Sequence, residues 1–183
     1  EEIDEGQYNS IMLEMQNGNM ESMDLEKEPK VAVYTPPTKQ PWDDAVTLVL
    51  TYAEIPYDKV WDEEVLQGRL HDYDWLHLHH EDFTGQYSKF YLAYRNAPWY
   101  IQEKIGSEAL AKRMGFKKVA EEKKAVALAI RRYAEEGGFL FAMCLATNTL
   151  DIALATQNTD VVDVPFDGDG VDPQYRSKLE YTK

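Results

Sequence analysis

Cys144 is the only cysteine of the chain, and it follows a short apolar run at residues 139–143. Small and polar residues come next, and then apolar residues at helical spacing begin. This pattern predicts a strand, a sharp turn at Cys144 and a helix, which is the arrangement of a nucleophile elbow. A helix N-terminus beside the sulfur favours the thiolate form. A lone cysteine in an apolar strand is also common as a small core residue, so the pattern leaves both interpretations open.

Three of the four histidines lie together within residues 77–80, and two acidic residues follow them. A thiol nucleophile needs a base and a group that orients the base, and an imidazole next to a carboxylate supplies both. In a strand, His77 and His79 share one face, whereas His80 faces the other way or begins the loop. The candidate catalytic residues are Cys144, His79, His80 and Glu81.

The histidine segment has two further interpretations. Imidazole and carboxylate groups are the usual ligands of Zn²⁺, and such a metal site would comprise His77, His79 and Asp82. Alternatively, His77 and His79 pack within the sheet and hydrogen-bond to their neighbours. The glycines form neither a dinucleotide-binding fingerprint nor a phosphate-binding loop, and no cofactor is predicted.

Predicted strands and helices alternate along the chain and bring these residues to the ends of strands. Strands are predicted at residues 30–34, 57–61, 73–80, in the run before Cys144 and at 161–165. Helices are predicted from Pro41 to just before Pro56 and at residues 85–95, 102–113, 119–136 and 147–157. Alternating strands and helices indicate a doubly wound α/β fold with a parallel sheet. Residues 83–118, rich in aromatic side chains, are predicted to be a helical insertion that packs over the sheet edge or covers the site.

Composition limits the function classes. The chain has 183 residues and a formal charge of −14, which argues against a nucleic-acid surface. Residues 1–30 hold nine acidic residues against Lys27 and Lys30, so residues 1–29 are predicted to be an acidic linker before a domain at residues 30–183. No apolar run approaches the roughly 20 residues that a membrane span needs, and no signal-peptide pattern opens the chain.

The abrupt ends at Glu1 and Lys183 lead us to expect a piece of a longer protein. The sequence therefore does not assign a compartment. The two alternatives are a cytoplasmic protein and, if a signal peptide lies upstream, an exported one.

Two runs carry a resemblance to known proteins. Residues 39–57 (KQPWDDAVTLVLTYAEIPY) and 73–87 (YDWLHLHHEDFTGQY) are similar to an uncharacterised bacterial family sometimes labelled asparagine synthetase B. The strand that ends at Cys144 resembles the class I glutamine amidotransferase-like superfamily. The resemblance covers about residues 30–183. It implies a three-layer α/β/α sandwich with a mostly parallel, flavodoxin-like sheet and a cysteine on an elbow.

The residues depart from the superfamily at the elbow itself. Residues 142–146 read Ala-Met-Cys-Leu-Ala where the superfamily has glycine–x–cysteine–x–glycine, and no histidine follows His80. Two functions follow as expectations. One is a glutamine amidotransferase-like domain that binds a small molecule or a protein partner at the Cys144 elbow and residues 79–82. The other is a cysteine-dependent amide or ester hydrolase with Cys144 as nucleophile and His79 or His80 as base.

Overall fold

The computed structural model of the protein describes residues 3–18, 28–39, 44–87 and 90–181. Within them, four strands form one sheet with the order β2-β1-β3-β4, and all three pairings are parallel. The strands are β1 (Val31–Tyr34), β2 (Asp58–Val60), β3 (Trp75–Leu78) and β4 (Phe139–Ala142). The predicted α/β class with a parallel sheet is confirmed.

The described part of the chain contains eight α-helices. They are α1 (Glu5–Asn17), α2 (Ala45–Tyr52), α3 (Asp62–Leu66), α4 (Phe90–Tyr94), α5 (Pro98–Arg113), α6 (Val119–Glu135), α7 (Leu145–Ala155) and α8 (Val164–Asp167). None of these helices is both long enough and apolar enough to cross a membrane. In α1 no residue is buried, and residues 19–27 of the predicted acidic linker lie outside the described residues.

Local chemistry explains where the helices begin. Asp44 is the N-cap of α2, and its carboxylate accepts hydrogen bonds from the Val46 and Thr47 amides. Pro98 lies in the first turn of α5, where a backbone N–H would have no partner within the helix, so proline costs no hydrogen bond there. The predicted helix over 85–95 is shorter in the structure, where it is α4. Pro41, the predicted start of α2, lies outside the described residues.

The strand predicted at residues 161–165 is wrong. Val164 begins the short helix α8, and the Asp163 carboxylate accepts a hydrogen bond from the Val164 amide at 2.8 Å. Pro165 has no N–H to donate to a strand ladder, which favours the turn. Val162 is buried but does not belong to a strand, so the apolar run reflects burial in the core and not pairing with another strand.

Helices pack on both faces of the sheet. Because side chains alternate along a strand, Ala32 and Tyr34 point to one face of β1 and Val31 and Val33 to the other. The first face carries the larger core, into which α3, α6 and α7 place apolar side chains. On the second face, Val31 and Val33 pack against Leu50 of α2.

The predicted insertion holds α4 and α5. Its aromatic side chains contact one another: Trp99 lies against Phe90, Tyr94 and Tyr100. The helix α5 contacts α6, which joins the insertion to the larger core.

Candidate functional site

Cys144 lies at the junction between β4 and α7, where the strand turns sharply into the helix. It is the N-cap residue of α7, with φ 55° and ψ −135°. A positive φ is unfavourable for a residue with a Cβ and typically costs about 1–3 kcal/mol. The side chain is exposed. The structure thus has the strand, turn and helix that the sequence pattern predicts, with a thiol on the strained residue.

Hydrogen bonds to β3 and its loop hold this junction in place. The Met143 amide donates to the Leu78 carbonyl at 3.1 Å, and the Ala146 amide donates to the His79 carbonyl at 3.3 Å. Leu145, the first residue of α7, has an N–H without a carbonyl partner inside the helix. Such an N–H, next to an exposed thiol, is a suitable donor for a developing oxyanion.

The candidate histidines leave the sheet beside this junction. The register pairs Leu78 of β3 with Ala142 of β4, so residues 79–80 and 143–144 extend from neighbouring strand ends. The His79 and His80 rings lie together, with centroids 4.5 Å apart and the two Nδ1 atoms at 2.8 Å. Strand alternation would separate the rings. They meet because β3 ends at Leu78 and His80 already belongs to the loop.

The carboxylate beside the His79 ring comes from Asp44, which the sequence reasoning did not select. Asp44 Oδ1 lies 3.6 Å from His79 Nδ1. The Asp44 side chain is only 2% exposed, and its Oδ2 has no hydrogen-bond partner among the described residues. Its position just before α2 could have indicated its place in the site, because helices that follow strands of a parallel sheet begin at the carboxyl edge of that sheet.

Glu81 acts on the backbone of the loop. Its Oε2 accepts a hydrogen bond from the His79 amide at 3.0 Å, and its carbonyl accepts one from Thr149 Oγ1 of α7 at 2.9 Å. Burial raises the pKa of Glu81, and the hydrogen bond from the His79 amide opposes that rise. Glu81 therefore joins the histidine loop to the helix that carries Cys144.

The residues of the earlier metal alternative separate in the structure. His77 is buried in the sheet, its ring stacked on Phe141 at 5.2 Å, and burial lowers the pKa of His77. Asp82 Oδ1 accepts hydrogen bonds from the Thr84 amide and hydroxyl at 2.7 Å and 2.6 Å. At this edge of the sheet, the potential ligands that do come together are Asp44, His79 and His80.

These residues lie at the carboxyl edge of the sheet, near the point where the strand order reverses. Strand order reverses between β1 and β3, and ligands of such sheets bind beyond the carboxyl ends of strands at that point. Thr35 follows β1 there, and its buried Oγ1 has no hydrogen-bond partner in the described part of the chain. A thiol, two imidazoles and a buried carboxylate at one sheet edge have the composition of a site for acyl transfer or for metal binding.

Comparisons with protein-family models, with curated proteins and with solved structures find no match for this chain.

Proposed function

We propose that this chain is a glutamine amidotransferase-like domain and that it is a cysteine-dependent hydrolase of an amide or ester. One observation carries the proposal: Cys144 presents an exposed thiol at positive φ between the parallel strand β4 and the helix α7. The strand order supports the flavodoxin-like, three-layer part of the proposal. The order β2-β1-β3-β4 corresponds to the first four strands of the 2-1-3-4-5 arrangement.

In this proposal the imidazole of His79 or His80 takes the proton of the Cys144 thiol. The thiolate attacks the substrate carbonyl carbon, and the N–H of Leu145 donates to the oxygen that becomes negative. The carbon–nitrogen or carbon–oxygen bond then breaks, and the imidazolium returns the proton to the leaving amine or alcohol. Water hydrolyses the thioester and restores the thiol.

Asp44 favours His79 as the base. Because Nδ1 of His79 faces Asp44 Oδ1, Nε2 is the nitrogen left to accept the thiol proton. A buried carboxylate in this position orients the ring and stabilises the imidazolium that forms. Asp44 is then a positioning residue and His79 the base.

The test is the reaction of the chain with p-nitrophenyl acetate. We expect rapid release of about one p-nitrophenolate per chain and an acetyl group on Cys144 in the mass spectrum, as for other covalent intermediates. His79→Gln should slow the release by about 100-fold, within the usual range for loss of a general base. The matched control is His71→Gln, because His71 is the remaining histidine and is exposed.

Two results would contradict the hydrolase. One is equal release by Cys144→Ser and the unsubstituted chain, and the other is an acetyl group on lysines alone. A ligand that binds the sheet edge without any reaction at Cys144 would instead support the binding function expected from the sequence.

A further inference from the structure

We infer that Asp44, His79 and His80 form a binding site for a divalent transition-metal ion such as Zn²⁺. The site goes beyond the proposed hydrolase, which needs no metal. One ligand atom from each residue lies within 4.8 Å of the other two. The three residues come from two places in the fold, the N-cap of α2 and the end of β3, so the sheet rather than the local sequence assembles them.

The separations suit a single small ion. In tetrahedral zinc sites, ligands at about 2.0–2.1 Å from the metal are about 3.3 Å from one another. The two Nδ1 atoms of His79 and His80 are 2.8 Å apart, and His79 Nδ1 is 3.6 Å from Asp44 Oδ1. These two distances lie on either side of the ideal value, and all three ligand atoms lie within 4.8 Å of one another.

The buried carboxylate is an independent observation that points to a ligand. Asp44 is almost inaccessible, and its Oδ2 has no hydrogen-bond partner among the described residues. No lysine or arginine of the described ranges forms an ion pair with it. The other oxygen, Oδ1, faces His79 and also accepts the capping hydrogen bonds of α2. A buried carboxylate that is only partly satisfied is unfavourable, and a cation bound by this group offsets the penalty.

The donor set selects the class of metal. Two imidazoles and one carboxylate suit zinc and the neighbouring transition ions, whereas calcium and magnesium prefer oxygen ligands alone. Three protein ligands also leave a coordination position for water or substrate, as in catalytic zinc sites. A neutral imidazole that binds a metal through one nitrogen carries its proton on the other nitrogen, so it cannot accept the proton of the thiol. The metal and the thiol reaction therefore compete for His79 and His80.

Isothermal titration with zinc chloride tests the site directly. We expect about one zinc per chain, and a loss of affinity of at least about tenfold in His79→Ala and in His80→Ala. Asp44→Asn should also weaken binding by about tenfold, and it is the most informative variant for folding because asparagine still caps a helix. His71→Ala is the matched control and should bind zinc as the unsubstituted chain does.

Cys144→Ser separates this proposal from the hydrolase. It removes the nucleophile and keeps the three ligands, so zinc binding should persist when the ester reaction is lost. Circular dichroism of each variant identifies any that fail to fold. If His79→Ala does not fold, the test rests on Asp44→Asn and on His80→Ala, whose substitution lies in the loop. The site is overturned if zinc does not bind, or if His79→Ala, His80→Ala and Asp44→Asn all bind it as tightly as His71→Ala.

Discussion

Two regions of the molecule treat charged groups in opposite ways. In the lysine cluster (Lys118, Asp160, Asp167 and Asp169), the ammonium group lies 2.9 Å from Asp160 and 3.1 Å from Asp167 and also pairs with Asp169. At the sheet edge around Cys144, by contrast, Asp44 has an oxygen without a donor and Cys144 has a strained backbone. One region has its own cation, and the other has only two imidazoles beside its carboxylate.

The difference indicates what each region contributes. In the lysine cluster, ion pairs connect the N-cap of α6 to the segment that contains α8, so the charges support the fold. Strained backbone and unsatisfied polar atoms lower stability and persist where surrounding structure imposes them, most often at functional sites. Substitutions that remove the cation of the lysine cluster should therefore lower stability, whereas substitutions that relieve backbone strain or an unsatisfied buried charge should raise it.

The largest expected effect is at Lys118. Burial by itself lowers the pKa of Lys118, but hydrogen bonds to Asp169, Asp160 and Asp167 raise it above its ordinary value. Lys118→Met leaves three carboxylates without their cation and should lower the free energy of unfolding by about 2–3 kcal/mol. Urea denaturation measures the change. The exposed Lys112→Met is the control, and equal stability of the two variants would contradict the supporting role of the cluster.

Glu122, a buried residue of α6, extends the comparison to a second carboxylate without a hydrogen-bond donor. The residue is fully buried, and neither of its carboxylate oxygens has a hydrogen-bond partner among the described residues. Burial raises the pKa of Glu122 from 4.5 to about 7. The folded state then binds more protons than the unfolded state between these two values, so stability falls as pH rises through that window and the loss is complete above it.

Glu122→Gln should remove this pH dependence. We expect the variant to be more stable than the unsubstituted chain by about 2–3 kcal/mol near pH 8, and close to it near pH 4, because the carboxyl is mostly neutral there in both states. Denaturation at the two pH values measures the difference. Glu121→Gln, on the exposed side of α6, is the control and should show no such change. An unchanged pH profile in Glu122→Gln would mean that the group is charged in the fold.

The strain at Cys144 predicts a smaller gain. Glycine adopts a positive φ readily, so Cys144→Gly should raise the free energy of unfolding by about 1 kcal/mol while abolishing the ester reaction. Cys144→Ser keeps the Cβ and should change stability by less than about 0.5 kcal/mol. Chemical denaturation of the two variants gives the answer. If Cys144→Gly is no more stable than Cys144→Ser, the backbone at this junction is unstrained.

The smallest effect is expected at His71, the control for both proposals. His71 Nε2 lies 3.4 Å from Glu136 Oε2, and both side chains are half or more exposed. Exposed ion pairs contribute little, so His71→Ala should alter the free energy of unfolding by less than about 0.5 kcal/mol. A larger loss of free energy of unfolding in His71→Ala would show that exposed pairs also stabilise this protein, and the contrast with the lysine cluster would then fail.

Much of the fold was predictable because local patterns carry it. Apolar runs before Thr35 and before Cys144 mark strands, and the amphipathic spacing of α6 marks a long helix. The failure at residues 161–165 has a local cause too. A short apolar run does not distinguish a strand from a buried loop, and here Val162 is buried without strand pairing.

The site was predictable only in part. Cys144 and the histidine loop are recognisable from residue type and position in the chain. Glu81 was expected beside a histidine ring, yet its carboxylate bonds to the His79 backbone, and Asp44 takes the place next to the ring. The order of residues in the chain cannot predict that Asp44 replaces Glu81 beside the His79 ring, because this arrangement depends on the conformation of the loop after β3.

Residue chemistry and hydrophobic periodicity act locally, so the sequence was enough to indicate which groups are able to react and where most strands and helices lie. The meeting of Asp44 with His79, at the sheet edge from which Cys144 emerges, follows from tertiary structure, because the parallel sheet brings distant segments together. The sheet gathers the carboxyl ends of β1, β3 and β4 and the N-termini of the following helices at one edge, whatever the length of chain between them.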